Sequence, residues 1–178
     1  TFIPPKQKVL SEEDWRKHYL LTHVNKQEAF VRYVRHYLST SGQIYLSDTM
    51  QLSTYVNGYH DVIDKLTKAK YRGSEMITEI YVPREKLEIF MKKARSYLIK
   101  NNVEVIYGTI RLIEKDDESF LAWAKNNYSC IIFNLHVDHT KRGIIKSSKA
   151  FRKLIDMGIS LKGSYFLTYH KYATKRQV

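Results

Sequence analysis

Cysteine occurs once in these 178 residues, proline three times and glycine seven times. One cysteine, Cys130, excludes an internal disulfide and any zinc site built from several cysteines. Lying in an apolar run, it reads as a small buried hydrophobe. With so little proline and glycine the chain has no Pro/Gly linker, and it has no internal repeat or low-complexity tract. No stretch approaches the ~18 apolar residues of a membrane span, and the opening TFIPPKQKVLSEED lacks the apolar core of a signal peptide. A soluble, cytoplasmic protein without a membrane span is the expectation. Acid is scarce beside base: 18 Asp plus Glu stand against 30 Lys plus Arg, a formal net charge of +12. Such a field attracts nucleic acid, anionic membranes or acidic partners without choosing among them. The first residue is Thr rather than Met, and the sequence stops just after a helix-like start, so a piece of a longer protein is expected. Asp138 and His139 superficially suggest a metal site, but no His/Asp/Glu cluster at ligand spacing surrounds them. A loop, and no metal, is expected there.

What the chain does have is four strand-like runs whose polar residues fall in one alternation phase. They are residues 76–82 (MITEIYV), 105–113 (VIYGTIRLI), 130–137 (CIIFNLHV) and 164–172 (SYFLTYHKY). A strand has period two, so Glu79 and Tyr81, then Tyr107, Thr109 and Arg111, then Asn134 and His136, each share a face. In the last run either Tyr169 and Lys171 or Thr168 and His170 join them, according to register. A face carrying Glu, Arg, Asn, His and Lys is either solvated or the wall of a site. Burying such groups unpaired costs several kcal/mol.

Helical signals separate these runs. Ser11 followed by Asp14 opens a helix through about Leu21, and Asn25 with Glu28 opens another, with Ala29, Phe30, Tyr33, Val34, Tyr37 and Leu38 at helical spacing. Gly42 stops it. Residues 43–55 then read as strand and 60–69 as a short helix. From Gly73 onward the order is regular. Pro83 and Arg84 start a helix whose Leu87, Phe90, Met91, Ala94 and Leu98 make one face, ended by Asn101 and Asn102. Asp116 and Asp117 cap a short helix carrying Phe120, Leu121, Trp123 and Ala124. Thr140 starts a helix with Ile144, Ile145, Phe151, Leu154 and Ile155, closed by Gly158. The expected class is α+β: a ferredoxin-like β-α-β-β-α-β antiparallel sheet over residues 73–178 with both helices on one face, preceded by a helical and strand extension over 1–72.

Residues 73–84 (GSEMITEIYVPR), 107–117 (YGTIRLIEKDD), the run ending IIFNLHV and 163–177 (GSYFLTYHKYATKRQ), with 44–55 (IYLSDTMQLSTY) upstream, together resemble the C-terminal half of FAD-linked oxidoreductases of the vanillyl-alcohol oxidase and p-cresol methylhydroxylase superfamily. The resemblance implies a substrate or cap domain that covers the flavin ring, with FAD bound mainly by an N-terminal domain that is not in this chain. It implies oxidation of an alcohol, of the sugar, polyol or lactone class, by hydride transfer to the flavin. The isolated chain is then inactive, and its partners are the substrate and the FAD-binding domain of the same parent. In the related sugar-alcohol oxidases, an acidic residue and an arginine two positions apart on the second strand, with a lysine near the last strand, line the substrate pocket. Arg111 and Lys171 match the basic positions, and Thr109 stands at the acidic one. Glu79 on a neighbouring strand is placed to compensate. Arg111 and Lys171 are thus the expected catalytic residues, with Glu79, Thr109, Asn134, His136 and His170 binding substrate.

Each assignment competes with a plainer one. Arg111 serves a site or pairs with Glu79 as an exposed ion pair. Asn134 orients a ligand or satisfies a neighbour, and His136 and His170 act near neutral pH or are ordinary hydrogen-bonded histidines. Asp48 and Ser53 read as turn or strand-end residues. The alternative function is a basic ferredoxin-like domain binding nucleic acid or a small molecule without catalysis. For RNA, the common module needs aromatics on its central strands, and YSCIIFNLHV does not fit that pattern.

Overall fold

The computed structural model describes residues 7–45, 58–166 and 169–178. The protein is α+β, with five helices and a four-stranded antiparallel sheet among the described residues, and the chain divides into two compact units, Thr1–Lys70 and Tyr71–Val178. No helix among the described residues is long and apolar enough to cross a membrane.

The first unit contains α1 (Glu12–Val24), α2 (Lys26–Ser39) and α3 (Tyr59–Leu66). Ser11 and Asp14 form a reciprocal capping box at the start of α1, which satisfies two otherwise orphaned N–H groups. Asn25 ends α1 and caps α2, its side chain accepting from the Glu28 N–H at 3.1 Å. One residue therefore makes the break between the two helices. Trp15 and Tyr19 are buried, with Tyr59 stacked on Tyr19 at 4.8 Å between ring centroids. Gly42, with φ of +79°, takes the left-handed backbone that glycine accepts without strain after α2. Residues 43–45 are not strand, contrary to expectation, and the rest of that expected strand, with Asp48 and Ser53, lies outside the described residues.

The second unit contains β1 (Gly73–Pro83), α4 (Leu87–Lys100), β2 (Val105–Ile113), β3 (Tyr128–Asp138), α5 (Lys141–Ser160) and β4 (Ser164–Tyr165). A single 3-10 turn, Arg84–Lys86, leads into α4. The sheet order is β2-β3-β1-β4. β1 and β3 pair antiparallel without interruption from Gly73↔Asp138 to Pro83↔Tyr128. One face of this pair carries Thr78, Ile80, Val82, Ile131, Phe133 and Leu135. Against it pack Phe90, Ala94 and Leu98 of α4 and Ala150, Phe151, Leu154, Ile155 and Met157 of α5. The stripe expected on α4 closes this core, as do Phe151, Leu154 and Ile155 of α5, whereas Ile144 and Ile145, expected with them, are exposed in the first turns of α5.

Two expected elements take another form. Among the described residues the fourth strand covers Ser164–Tyr165, and the Phe166 N–H still donates to the Glu79 carbonyl at 3.0 Å. His170 and Tyr172 then pack on Phe151, at 4.2 and 5.6 Å between centroids, and this tertiary contact overrides the strand propensity of SYFLTYHKY. The helix expected over 116–124 is a loop. Asp116 Oδ1 accepts from the Glu118 and Ser119 N–H groups, a local turn that competes with helix hydrogen bonding.

Gly163 lets β4 reach β1: a Cβ there would lie 2.0 Å from the Tyr81 carbonyl oxygen. Gly163→Ala is expected to lower unfolding free energy by roughly 1–3 kcal/mol, as overpacking against backbone does. Gly58→Ala changes no packing, since nothing lies within 4 Å of that Cβ, but it meets the left-handed φ of +67°. Urea denaturation of the two variants separates contact from conformation: Gly163→Ala should be accompanied by faster amide exchange across Ile80–Tyr165, and Gly58→Ala should leave that pairing intact.

Candidate functional site

The register fixes which side chains share the second face of the sheet. Glu75, Ile77, Glu79 and Tyr81 of β1 stand opposite His136, Asn134, Ile132 and Cys130 of β3, and Tyr107, Thr109 and Arg111 of β2 stand opposite Asn134, Ile132 and Cys130. Five of the seven expected site residues, Glu79, Thr109, Arg111, Asn134 and His136, therefore lie on one face. His170 does not join them, because its ring is against Phe151 on the helix side. Lys171 is exposed and makes no hydrogen bond or ion pair with the described residues. Thr168 lies outside the described residues.

Glu79 is the hub of the face. Its Oε1 accepts from the Tyr81 hydroxyl at 2.5 Å and from the Cys130 thiol at 3.2 Å, and its Oε2 accepts from the Tyr169 hydroxyl at 3.1 Å. Tyr81 comes from the same strand, Cys130 from the paired strand and Tyr169 from the segment after β4. Hydrogen bonds to a carboxylate are among the stronger ones a side chain makes. Trp123, from the loop between β2 and β3, packs over Tyr81 at 4.7 Å and lies nearly parallel to Tyr128 at 6.2 Å. The face is thus covered at this end, and Cys130 and Ile132 are buried.

The electrostatics follow from that burial and that carboxylate. Burial first, then the bond to Glu79, pushes the Cys130 thiol up to about 12, with Arg111 opposing. The same two causes in the same order raise the Tyr81 and Tyr169 hydroxyls above the ordinary phenol value. All three groups stay protonated donors at neutral pH, and Cys130 is no nucleophile there.

Arg111 is not one of Glu79's partners. It is exposed, lies across from Cys130, exerts a charge effect on Cys130 and Tyr169, and makes no hydrogen bond or ion pair with the described residues. The plain alternative of an Arg111–Glu79 ion pair is therefore not what the structure has. Further along the face, Asn134 is buried and its Oδ1 accepts no hydrogen bond from the described residues. His136 Nε2 lies 3.3 Å from Asp138 Oδ1. Thr109 is half-buried opposite Ile132.

Three contributors escaped the sequence reading: Cys130 and Tyr169 as donors to Glu79, and Trp123 as cover. Cys130 has the alternation phase of Asn134 and His136, so its place on this face was legible. Tyr169 belongs to one of the two phases open to the last run, and Trp123 is set by a loop path that no periodicity encodes. In comparisons with known proteins, the chain matches no family model, no curated protein and no solved structure.

A thiol raised from 9.0 to about 12 holds ~1,000-fold less thiolate at pH 8. The reaction of Cys130 with a disulfide reagent is therefore expected to be at least ~1,000-fold slower in the folded protein than in urea. The sign of the linkage also follows: the folded value lies above the unfolded one, so the contribution to stability is complete below pH 9 and is lost as pH rises toward 12. Thermal unfolding between pH 8 and 11 checks this, and Cys130→Ser should flatten the decline.

Proposed function

We propose that the chain is the substrate domain of an FAD-dependent oxidoreductase and that its sheet is of the ferredoxin-like type. The fold reading is supported by the strand order, with β1 and β3 central, and by helices that join β1 to β2 and β3 to β4. The functional reading combines the family resemblance of the segments quoted above with one observation: Arg111 is an exposed guanidinium without a partner among the described residues, beside a carboxylate that carries three donors.

In this reading the substrate is an alcohol of the sugar, polyol or lactone class. Arg111 orients it through an oxygen, and its fixed planar fork suits that task better than a lysine would. Glu79 holds the Tyr81, Cys130 and Tyr169 donors in place and keeps that end of the face rigid. Tyr169, half-exposed beside Glu79, presents a hydroxyl to the same space, and Lys171 follows it two residues on. Thr109 and Asn134 supply polar contacts, Asn134 through an acceptor that a ligand donor would satisfy. His136 borders the face through its contact with Asp138, and His170 braces the final segment against Phe151. Bound flavin supplies the hydride acceptor, and the protein's part is to aim the substrate and exclude competing reactions. The nucleic-acid alternative has less support, since the central-strand aromatics of this face, Tyr81 and Tyr128, are packed against Trp123, and Ile77, Glu79, Ile132 and Asn134 occupy the positions beyond them.

The test uses the protein encoded by the complete reading frame. Purified without added cofactor, it is expected to show flavin absorbance bands that bleach with a member of a panel of alcohols and sugars. A colourless protein that FAD cannot reconstitute would refute the proposal. In the same protein, Arg111→Ala is expected to lower turnover about 100-fold, the scale for loss of one preorganised polar contact, with the flavin spectrum unchanged. Wild-type turnover across pH in that variant would remove Arg111 from the site.

A further inference from the structure

We infer that the edge strand β2 pairs with β2 of a second copy of this chain, antiparallel about a two-fold axis centred on Thr109. The contact shares Arg111 with the functional reading but does not rest on that reading. β2 ends the sheet order β2-β3-β1-β4, so it has a paired neighbour on one side only among the described residues. An edge strand of nine residues displays a row of N–H and C=O groups ready to accept another strand. Natural edges are usually blunted by proline, by lysine or by brevity. Val105–Ile113 (VIYGTIRLI) contains no proline, no lysine and one charge, Arg111. A bulge between Val105 and Tyr107 twists one end, and from Tyr107 to Ile113 the register with β3 is unbroken.

Ile110 and Leu112 stand opposite Ile131 and Ser129, on the face that β3 turns toward the helices, yet they are 48% and 65% exposed. The helix layer does not extend over them. Extending the sheet by one strand would bring apolar cover alongside this row, whereas a ligand on the polar face would leave it bare.

The strand's own sequence selects the occupant. Centred on Thr109, the strand is complementary to itself. Tyr107 meets Arg111 of the other copy, a cation over an aromatic ring, and the symmetric contact repeats it. Gly108 meets Ile110, so the bulky side chain faces the position with none. Gly108 owes that bareness to its own sheet, since a Cβ there would lie 2.8 Å from the Ile132 carbonyl oxygen and 3.1 Å from the Phe133 ring. Thr109 meets Thr109, a favourable cross-strand pair. Shifting the centre by two residues to Arg111 sets like charges face to face, which disfavours that register.

A strand of this length covers less than the ~800 Å² per partner of a standard stable interface, so the dimer is weak, with Kd on the order of 10⁻⁵–10⁻⁴ M. Each copy carries a formal charge of +12. Repulsion between copies is screened as the Debye length falls from ~10 Å at 0.1 M salt to ~3 Å at 1 M. Added salt therefore tightens this association, the opposite of its effect on binding to an anionic partner.

Sedimentation equilibrium of the whole chain at 10–500 µM, a span set by that ~10⁻⁵–10⁻⁴ M expectation, in 0.1 and 0.5 M NaCl tests the inference. A monomer–dimer equilibrium is expected that tightens at least about threefold with salt. The double substitution Ile110→Lys, Leu112→Lys is expected to hold the chain monomeric at every concentration. Both side chains are exposed, so circular dichroism and the melting temperature should match those of the unchanged chain. A chain that stays monomeric throughout would overturn the inference and leave the edge to a strand of another protein. A dimer that survives the double substitution, or that weakens with salt, would place the contact elsewhere and overturn it equally.

Discussion

The pairing of β1 with β3 is the constraint on which the second unit depends. Because its eleven residue pairs run without a bulge, the phase of one strand dictates the phase of the other. A slip by one residue would turn every side chain over. Ile80, Val82, Ile131 and Leu135 would then leave the core they form with α4 and α5, and Glu79 and Asn134 would enter it. The cost of burying that carboxylate without its donors adds to the loss of the apolar face in opposing the slip. Core and polar face are therefore two consequences of one register.

On that frame, the polar face is organised by unequal treatment of its two principal charges. Glu79 is surrounded by hydroxyl and thiol donors from three parts of the chain, two of them buried. Arg111, one strand further out, remains exposed. The arrangement couples the end of the chain to the sheet, since Tyr169 reaches Glu79 while its neighbours His170 and Tyr172 grip Phe151 on the opposite side. Consecutive residues thus clasp both layers. Arg152, which donates to the Tyr172 carbonyl at 2.7 Å, and Gln177, which donates to the Arg152 carbonyl at 2.9 Å, fasten the same segment to α5.

Much of this was legible in the sequence. Alternation within MITEIYV, VIYGTIRLI and CIIFNLHV carried the face assignment of Glu79, Thr109, Arg111, Asn134 and His136, because a half-buried strand writes its two environments into its period. The caps at Ser11, Asn25 and Thr140 marked three helix starts by their own chemistry. What failed did so where tertiary contacts outweigh local preference. SYFLTYHKY has the composition of a strand, but His170 and Tyr172 pack on Phe151 instead of continuing the sheet. Asp116 has the look of a helix cap, yet its carboxylate closes a turn instead. The reach of Tyr169 to a carboxylate ninety positions away belongs to the fold alone.

The claim that Glu79 and its donors act as one unit is tested most directly by a double-mutant cycle between Glu79→Gln and Tyr81→Phe, read by urea denaturation. Groups in one hydrogen-bond network couple, and for a buried hydroxyl on a carboxylate the interaction free energy should be about 1–3 kcal/mol. Effects that add to within about 0.3 kcal/mol would mean that the carboxylate and the hydroxyl contribute separately, and the polar face would then have no hub.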